Sequence, residues 1–243
     1  MHPTPARAAG ADKWDAARRD LQVFFWLQVF SASRQSPRLP TIRYPAESMR
    51  GLRKPLGAPS RWPHKRRTML KGTSITLRPV READLEELYA FHVDIANRGE
   101  FFPRGIHSQP NFIKQYHDTG FWSKEEGLLV IVNNTDQIIG HIEFYKTVNY
   151  LDEYELSYIL YAPEHRGQGA MTEAVNLMVR YLFETRNINR IRLVIHPDNA
   201  VSRHLAEKCH FRHEGTARGA WYNKGRHHDV EIYAILHDEV VGS

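Results

Sequence analysis

Cysteine is all but missing from this chain of 243 residues: Cys209 stands alone. No internal disulfide and no cysteine-built zinc site is open to it, and nothing marks a disulfide-framed secreted domain. Long apolar runs are missing as well. The longest, Leu21 to Phe30, covers ten residues and is interrupted by Gln22 and Gln28, against about 20 for a bilayer-spanning helix, so no membrane partner is expected. With 42% hydrophobic and 25% charged residues, the composition excludes wholesale disorder and a collagen-like fibre. A reducing, cytoplasmic setting is the default.

The net charge of +5 conceals a division at Met69. Residues 1–68 hold 14 basic and 4 acidic side chains, a net +10, whereas residues 69–243 hold 19 and 24, a net −5. The first segment also holds 8 of the 13 prolines and no sustained apolar period of 3.6 or 2. It therefore has no core to offset an ordering cost of about 1–2 kcal/mol per residue, and a basic, proline-rich, disordered extension is expected. Three functions compete for it. Nucleic-acid binding lacks folded motifs, an Arg-rich transit peptide is spoiled by Asp12, Asp15 and Asp20, and a secretion signal on Leu21 to Phe30 would carry an overlong leader. The plainer expectation is that Met69 is the initiator and residues 1–68 lie upstream of it, which leaves no nucleic-acid partner.

From 69 onward the patterning is that of a folded domain. Ser74 to Val80 alternates, with Ile75, Leu77 and Pro79 opposite Thr76 and Arg78, as a half-buried edge strand does. Asp84 stands as an N-cap before the helical face Leu85, Leu88, Tyr89 and His92, and Gln109 to Thr119 reads as a second helix. Leu128 to Val132 and Ile138 to Tyr145 flank the turn Asn133-Asn134-Thr135-Asp136, and Glu155 to Tyr161 is a further strand. A helical stripe follows at Ala174, Met178, Tyr181 and Leu182, then a strand at Ile191, Leu193 and Ile195 and a short helix at Ala200 to Lys208. Two β-like runs around Asn223-Lys224-Gly225 close the chain. The class is α/β, with at least one parallel βαβ crossover.

Between the strand at 155–161 and the helix beyond it lies Arg166-Gly167-Gln168-Gly169-Ala170-Met171. Two glycines let the backbone approach a ligand, and the free N–H groups at a helix start favour phosphate, so pyrophosphate recognition is one reading and a tight connection the other. A P-loop would need Gly-Lys-Ser/Thr, and a dinucleotide fingerprint would need Gly or Ala where Thr172 stands.

At these residues the sequence resembles the GNAT superfamily of acetyl-CoA-dependent N-acyltransferases, whose signature is Arg/Gln-x-x-Gly-x-Gly/Ala. The sixth position, Met171, departs, yet Met-Thr-Glu-Ala at Met171 to Ala174 looks like the branch that acetylates N-termini of ribosomal proteins. Asn199-Ala200-Val201-Ser202-Arg203 and Glu207-Lys208-Cys209-His210-Phe211 are similar to the family's second motif, with His210 in place of its usual glycine. The resemblance spans roughly Thr73 to Glu239 and implies a mixed, mostly antiparallel central sheet with flanking helices. It also implies acetyl-CoA as acyl donor, its pantetheine against Ile159 and Leu160 and its pyrophosphate on the amides of Arg166 to Met171, in a cleft opened by a splay between that strand and the next.

The implied reaction is direct attack of a primary amine on the thioester, which needs a proton acceptor, a stabilised oxyanion and a proton for the departing thiolate. Glu155 matches the position where several family members carry a base; a solvated strand-end charge is the alternative. His141 and Glu143 are further candidates, or cross-strand surface partners. For the acid, many members use a Tyr where Ala206 stands; Ser202 is the remaining hydroxyl, where the ribosomal-protein branch often has a Ser, and a helix N-terminal cap or back-bond is its alternative. Asn199 bonds pantetheine, caps the helix, or both. The histidines at 196, 204, 210, 213, 227 and 228 fall on several elements without zinc-site spacing, so no metal is expected. Tyr150, Tyr154, Trp221 and Tyr222 are candidates for an amine pocket or for core and hairpin packing. The implied partner is an amine, either a protein N-terminus or a small polyamine- or antibiotic-like compound, and a non-catalytic acyl-CoA-binding module is the alternative that the missing Tyr and His210 leave open. Homodimerisation is an expectation of the resemblance alone.

Overall fold

A computed structural model describes residues 70–95 and 98–241, and the expectations for residues 1–68 and for Met69 lie outside them. Among the described residues fifteen segments of regular structure follow one another. Strands β1 (Leu70–Lys71) and β2 (Ile75–Pro79) lead through a single 3-10 turn into α1 (Leu85–Val93) and α2 (Gln109–Thr119). Strands β3 (Glu126–Asn133), β4 (Ile138–Tyr145) and β5 (Glu153–Leu160) form a meander, and a second 3-10 turn (Pro163–His165) precedes α3 (Ala170–Thr185). Then come β6 (Arg190–Ile195), α4 (Ala200–Lys208), β7 (Arg212–Asn223), β8 (Arg226–Leu236) and α5 (His237–Val241). One eight-stranded sheet runs β1-β2-β3-β4-β5-β6-β8-β7. Every neighbouring pair is antiparallel except β5 and β6, which α3 joins as the crossover.

The sheet is covered on both faces. Along α3, Ala170, Met171, Ala174, Val175, Met178, Val179, Leu182 and Phe183 recur at helical spacing and are buried. They meet Leu77, Ile142, Phe144, Leu156, Ile191 and Leu193 from the strands. At about 1.5–3 kcal/mol for each fully buried large side chain, this contact is the main cohesive layer. On the opposite face a smaller cluster joins Leu85, Leu88 and Phe112 of α1 and α2 to Val130, Val132 and Ile138.

Several expectations change. The strand over Ser74–Val80 is not the sheet edge, because β1 pairs outside it. Arg78, assigned to its exposed side, is buried, with its guanidinium forked on Asp84 at 2.6 and 3.0 Å. Asp84 does stand before α1, but its carboxylate serves Arg78 and the Arg81 amide instead of capping the helix. A lone buried cation would demand such a partner. The fifth strand begins at Glu153, two residues before the expected start, for a reason that lies in the site.

Candidate active site

Strands β5 and β6 form a fork. They pair only at Glu153 with Arg190, Tyr154 with Ile191 and Glu155 with Arg192. Beyond Glu155, β5 stays bonded to β4 as far as Leu160, while β6 stays bonded along its other edge to β8 from Arg190 to Ile195. Among the described residues, the 156–160 side facing β6 therefore has no ladder partner. The stem is riveted by charge. Arg190 Nε reaches Glu153 at 2.9 Å, and Arg192 Nη1 reaches Glu153 at 3.1 Å. Arg192 Nε and Nη2 hold Glu155 Oε2 at 3.0 and 2.9 Å. Tyr145 Oη donates to Glu155 Oε1 at 2.6 Å. These partners bury Glu153 and Glu155, which are 5% and 4% exposed, and draw the strand start back to 153. Glu155 is thus no solvated strand-end charge.

One arm of the fork leads to the glycine loop. Ile159 is partly open, and Leu160 is buried beneath α3. The close approach of β4 there depends on Gly140, since a Cβ at that position would collide with the Ile159 carbonyl. After the 3-10 turn, Arg166 to Gly169 are exposed and α3 starts at Ala170. Gly167 and Gly169 lie at φ +73° and +83°, and nothing stands within 4 Å of where a Cβ would be. The loop therefore presents backbone to open space at the N-terminal end of a 16-residue helix, an arrangement that attracts anions. Ala170 and Met171 turn their side chains into the core, so only their backbone is offered, and Gln168 folds back to donate to the Glu164 carbonyl. A depression of about 380 Å³ continues from Gly169 along the outer side of α3, between Arg180 and Lys208.

Across the fork, α4 carries the second motif. Asn199 Oδ1 accepts from the Ser202 amide at 3.1 Å, so the capping role assigned to it is occupied. The Ser202 hydroxyl faces that of Tyr158, whose ionisation is pushed up by burial. Tyr158 is a hydroxyl that sequence reading missed; its only signal was the alternation of β5. Ala206 is fully buried and carries nothing.

The face of the sheet away from α3 forms the floor. On it β4 contributes His141, Glu143 and Tyr145, and β5 contributes Glu155, Ser157 and Ile159. His141 and Glu143 are not surface partners. His141 is 3% exposed, its Nδ1 lies 2.6 Å from Tyr161 Oη, and burial, then Arg98, lowers its pKa to about 4. Glu143 is enclosed but still touched by solvent. Burial raises it to about 7 against the pull of Ser157 and Arg98, and Glu155 pushes it further up. Glu155 is also raised by burial, with Arg192 and Tyr145 opposing.

The segment after α1 crosses the mouth of the fork. Lys224 Nζ meets Glu100 at 2.7 Å, Asn223 Nδ2 donates to the Glu100 carbonyl at 3.4 Å, and Phe101 stacks on His196 with ring centroids 5.1 Å apart. Trp221 meets His196 edge-on and so joins this wall. Tyr154 does not, since it lies in the core with its hydroxyl on the Lys124 carbonyl. Tyr150 and Tyr222 are exposed. Among the described residues no group of three or more histidine, cysteine or acidic side chains is arranged to hold a metal ion, and no helix is long and apolar enough to cross a membrane.

Comparison with known proteins points the same way. Residues 74–212 match the family described as acetyltransferase (GNAT) domain. The N-acetyltransferase p20 of Bacillus licheniformis, itself uncharacterized, is 30% identical over 54% of this chain and 74% of its own length. Spermidine N(1)-acetyltransferase of Vibrio cholerae is 26% identical over 68% and 94%. Among solved structures, RimL, a ribosomal L7/L12 alpha-N-protein acetyltransferase in complex with coenzyme A, superposes with a TM-score of 0.60 at 22% identity over 69% of this chain and 97% of that one.

Proposed function

We propose, from the premise that this chain belongs to the GNAT family of acetyltransferases, that it acetylates the free α-amine of a protein or peptide. It is an N-acetyltransferase, and acetyl-CoA is its acyl donor. The observation that carries the reading is the fork between β5 and β6 opening beside the exposed glycine loop at the start of α3. When bound, acetyl-CoA supplies an acetyl group activated as a thioester. The amides from Arg166 to Met171 would hold its pyrophosphate, with Arg180 and Lys208 beside the depression that continues from Gly169. The open edge at Ile159 and Leu160 would take the amide-bearing arm as a missing strand does. The amine's proton would pass to the floor of the fork, where Glu155 and Glu143 lie on one sheet face. Ser202, with Tyr158, stands on the side where a departing thiolate needs one.

The choice of acceptor class rests on charge. A polyamine carries several cations and calls for several free carboxylates, but Glu153 and Glu155 are tied to Arg190 and Arg192, and Glu100 to Lys224. Arg98 lies near Glu143 on the same floor. A peptide terminus brings one amine and neutral backbone behind it, which suits this balance better. The test is a thermal-shift titration with acetyl-CoA against CoA and ATP, followed by turnover on N-terminal peptides and on spermidine. At a hundredfold excess over Kd, acetyl-CoA should stabilise by about 2.7 kcal/mol. Absence of any shift refutes the donor site, and turnover of spermidine but of no peptide refutes the acceptor class.

A further inference from the structure

Resting on the reading of the chain as an amine N-acetyltransferase, we propose that Glu143 of β4, and not Glu155, takes the proton of the attacking amine, with Glu155 the fixed charge beside it. The two carboxylates lie on one sheet face, Glu143 opposite Ser157 and Glu155 opposite Tyr145 in the β4–β5 register, and differ in what they have left to offer. Both oxygens of Glu155 are engaged, Oε1 by the Tyr145 hydroxyl and Oε2 by two nitrogens of Arg192, and the residue is sealed. An acceptor that is sealed and already accepts three hydrogen bonds from protein donors has no path for an amine and only one of its about four lone-pair sites left. Among the described residues Glu143 makes no salt bridge, bonds only to Ser157, and keeps part of its surface open to solvent. His141, two residues before it on the same face, is also sealed and has Nδ1 on Tyr161.

The groups facing Glu143 come from every element around it. Arg98 follows α1, Glu126 is on β3, Tyr145 is on its own strand, Glu155 and Ser157 are on β5, and Tyr161 lies just beyond β5. Burial and Glu155 raise its proton affinity while Ser157 and Arg98 lower it, and the balance falls at about 7, where a base is half free at neutral pH and still strong enough to act. In the step itself the N–C bond forms as the C–S bond breaks. The amine's proton passes to Glu143, and the departing sulfur takes one from the Ser202 and Tyr158 side.

The experiment compares pH–rate profiles of the full chain and of Glu143→Gln, Glu143→Asp and Glu155→Gln on one peptide acceptor, with acetyl-CoA thermal shifts as a check on folding and donor binding. The acceptor's own ionisation is common to all profiles. We expect Glu143→Gln to lose at least about 100-fold in kcat, with an unchanged acetyl-CoA shift and without the limb near pH 7. Glu143→Asp should keep that limb at lower rate. Glu155→Gln should keep it but displaced to lower pH, because a neighbouring negative charge has gone. A glutamine variant at position 143 that retains the rate or the limb overturns the proposal while the acetyltransferase reading stands. A wild-type chain that binds acetyl-CoA and turns over no amine overturns that reading and the proposal together. Should Glu143→Gln fail to bind acetyl-CoA, Ser157→Ala decides: losing the hydroxyl that favours ionised Glu143 must move the wild-type limb to higher pH, and an unmoved limb overturns the assignment.

Discussion

Gly169→Ala separates what the glycine loop does for the fold from what it does for the ligand, provided that it is compared with Gly120→Ala. Gly120 closes α2 at φ +64°, Gly169 precedes α3 at φ +83°, and at neither would an added methyl meet a heavy atom within 4 Å. Steric cost inside the protein is therefore nil in both, and what remains is the left-handed backbone. That conformation costs an L-residue about 1–2 kcal/mol, partly offset by about 0.4–1 kcal/mol because alanine narrows the unfolded chain. Each variant should lose about 1 kcal/mol, or about 2–4 °C in Tm for a domain of this size. The two part company once acetyl-CoA is added. The proposed donor site brings a phosphate through the space at Gly169 to the first amides of α3, so a methyl there should weaken binding at least about tenfold. At a concentration worth about 2.7 kcal/mol of stabilisation to the wild type, a tenfold loss leaves about 1.4 kcal/mol. Gly120→Ala should keep the full ligand-induced shift. Equal shifts in the two variants would refute the reasoning and reduce the loop to a connection.

Further outcomes are expected on stability. His210 ends α4 at φ +65°, with its amide on the Glu207 carbonyl and the Phe211 amide on the Ala206 carbonyl, the closing pattern in which glycine is favoured. Its side chain is exposed, so His210→Gly should stabilise by about 1 kcal/mol in urea unfolding without altering turnover; a loss of stability would contradict this. Asp84→Asn should destabilise by about 3 kcal/mol, because it leaves the buried Arg78 charge only the half-exposed Asp136 at 4.0 Å, and recovery in an Arg78→Met, Asp84→Asn double variant would confirm that cause in the same assay.

How much of this was legible in the residues follows from how local each cause is. The helices at Gln109–Thr119 and Ala200–Lys208 were readable end to end, since spacing and caps lie within the segment. The hairpin at Asn133–Asp136 was equally plain, with Asn133 Oδ1 gathering the Thr135 and Gln137 amides. The solvated alternative for Glu155 falls, because an acidic residue at a strand start looks solvated until Arg192 arrives from 37 residues away. His141 and Glu143 looked like the wet side of a hairpin for a related reason: burial on that face depends on α1, α2 and the segment between them, which no alternation in β4 encodes. The fork itself has no local signature. It opens between two strands that are each held along their other edge, β5 by β4 as far as Leu160 and β6 by β8 as far as Ile195, and only the resemblance to a family announced it.

An open rung inside a sheet has a further meaning. A strand that stops pairing at Glu155 leaves amides and carbonyls of the kind that, on an outer edge, invite another chain. Here they are sheltered within the molecule and await something too small to be a strand. If the arm of acetyl-CoA seats there as proposed, the donor is a structural member as well as a reagent, and because free CoA carries the same arm, the rung stays filled after the acetyl group has gone. The protein's lifetime against unfolding and proteolysis would then be tied to the whole supply of CoA around it, acetylated or not.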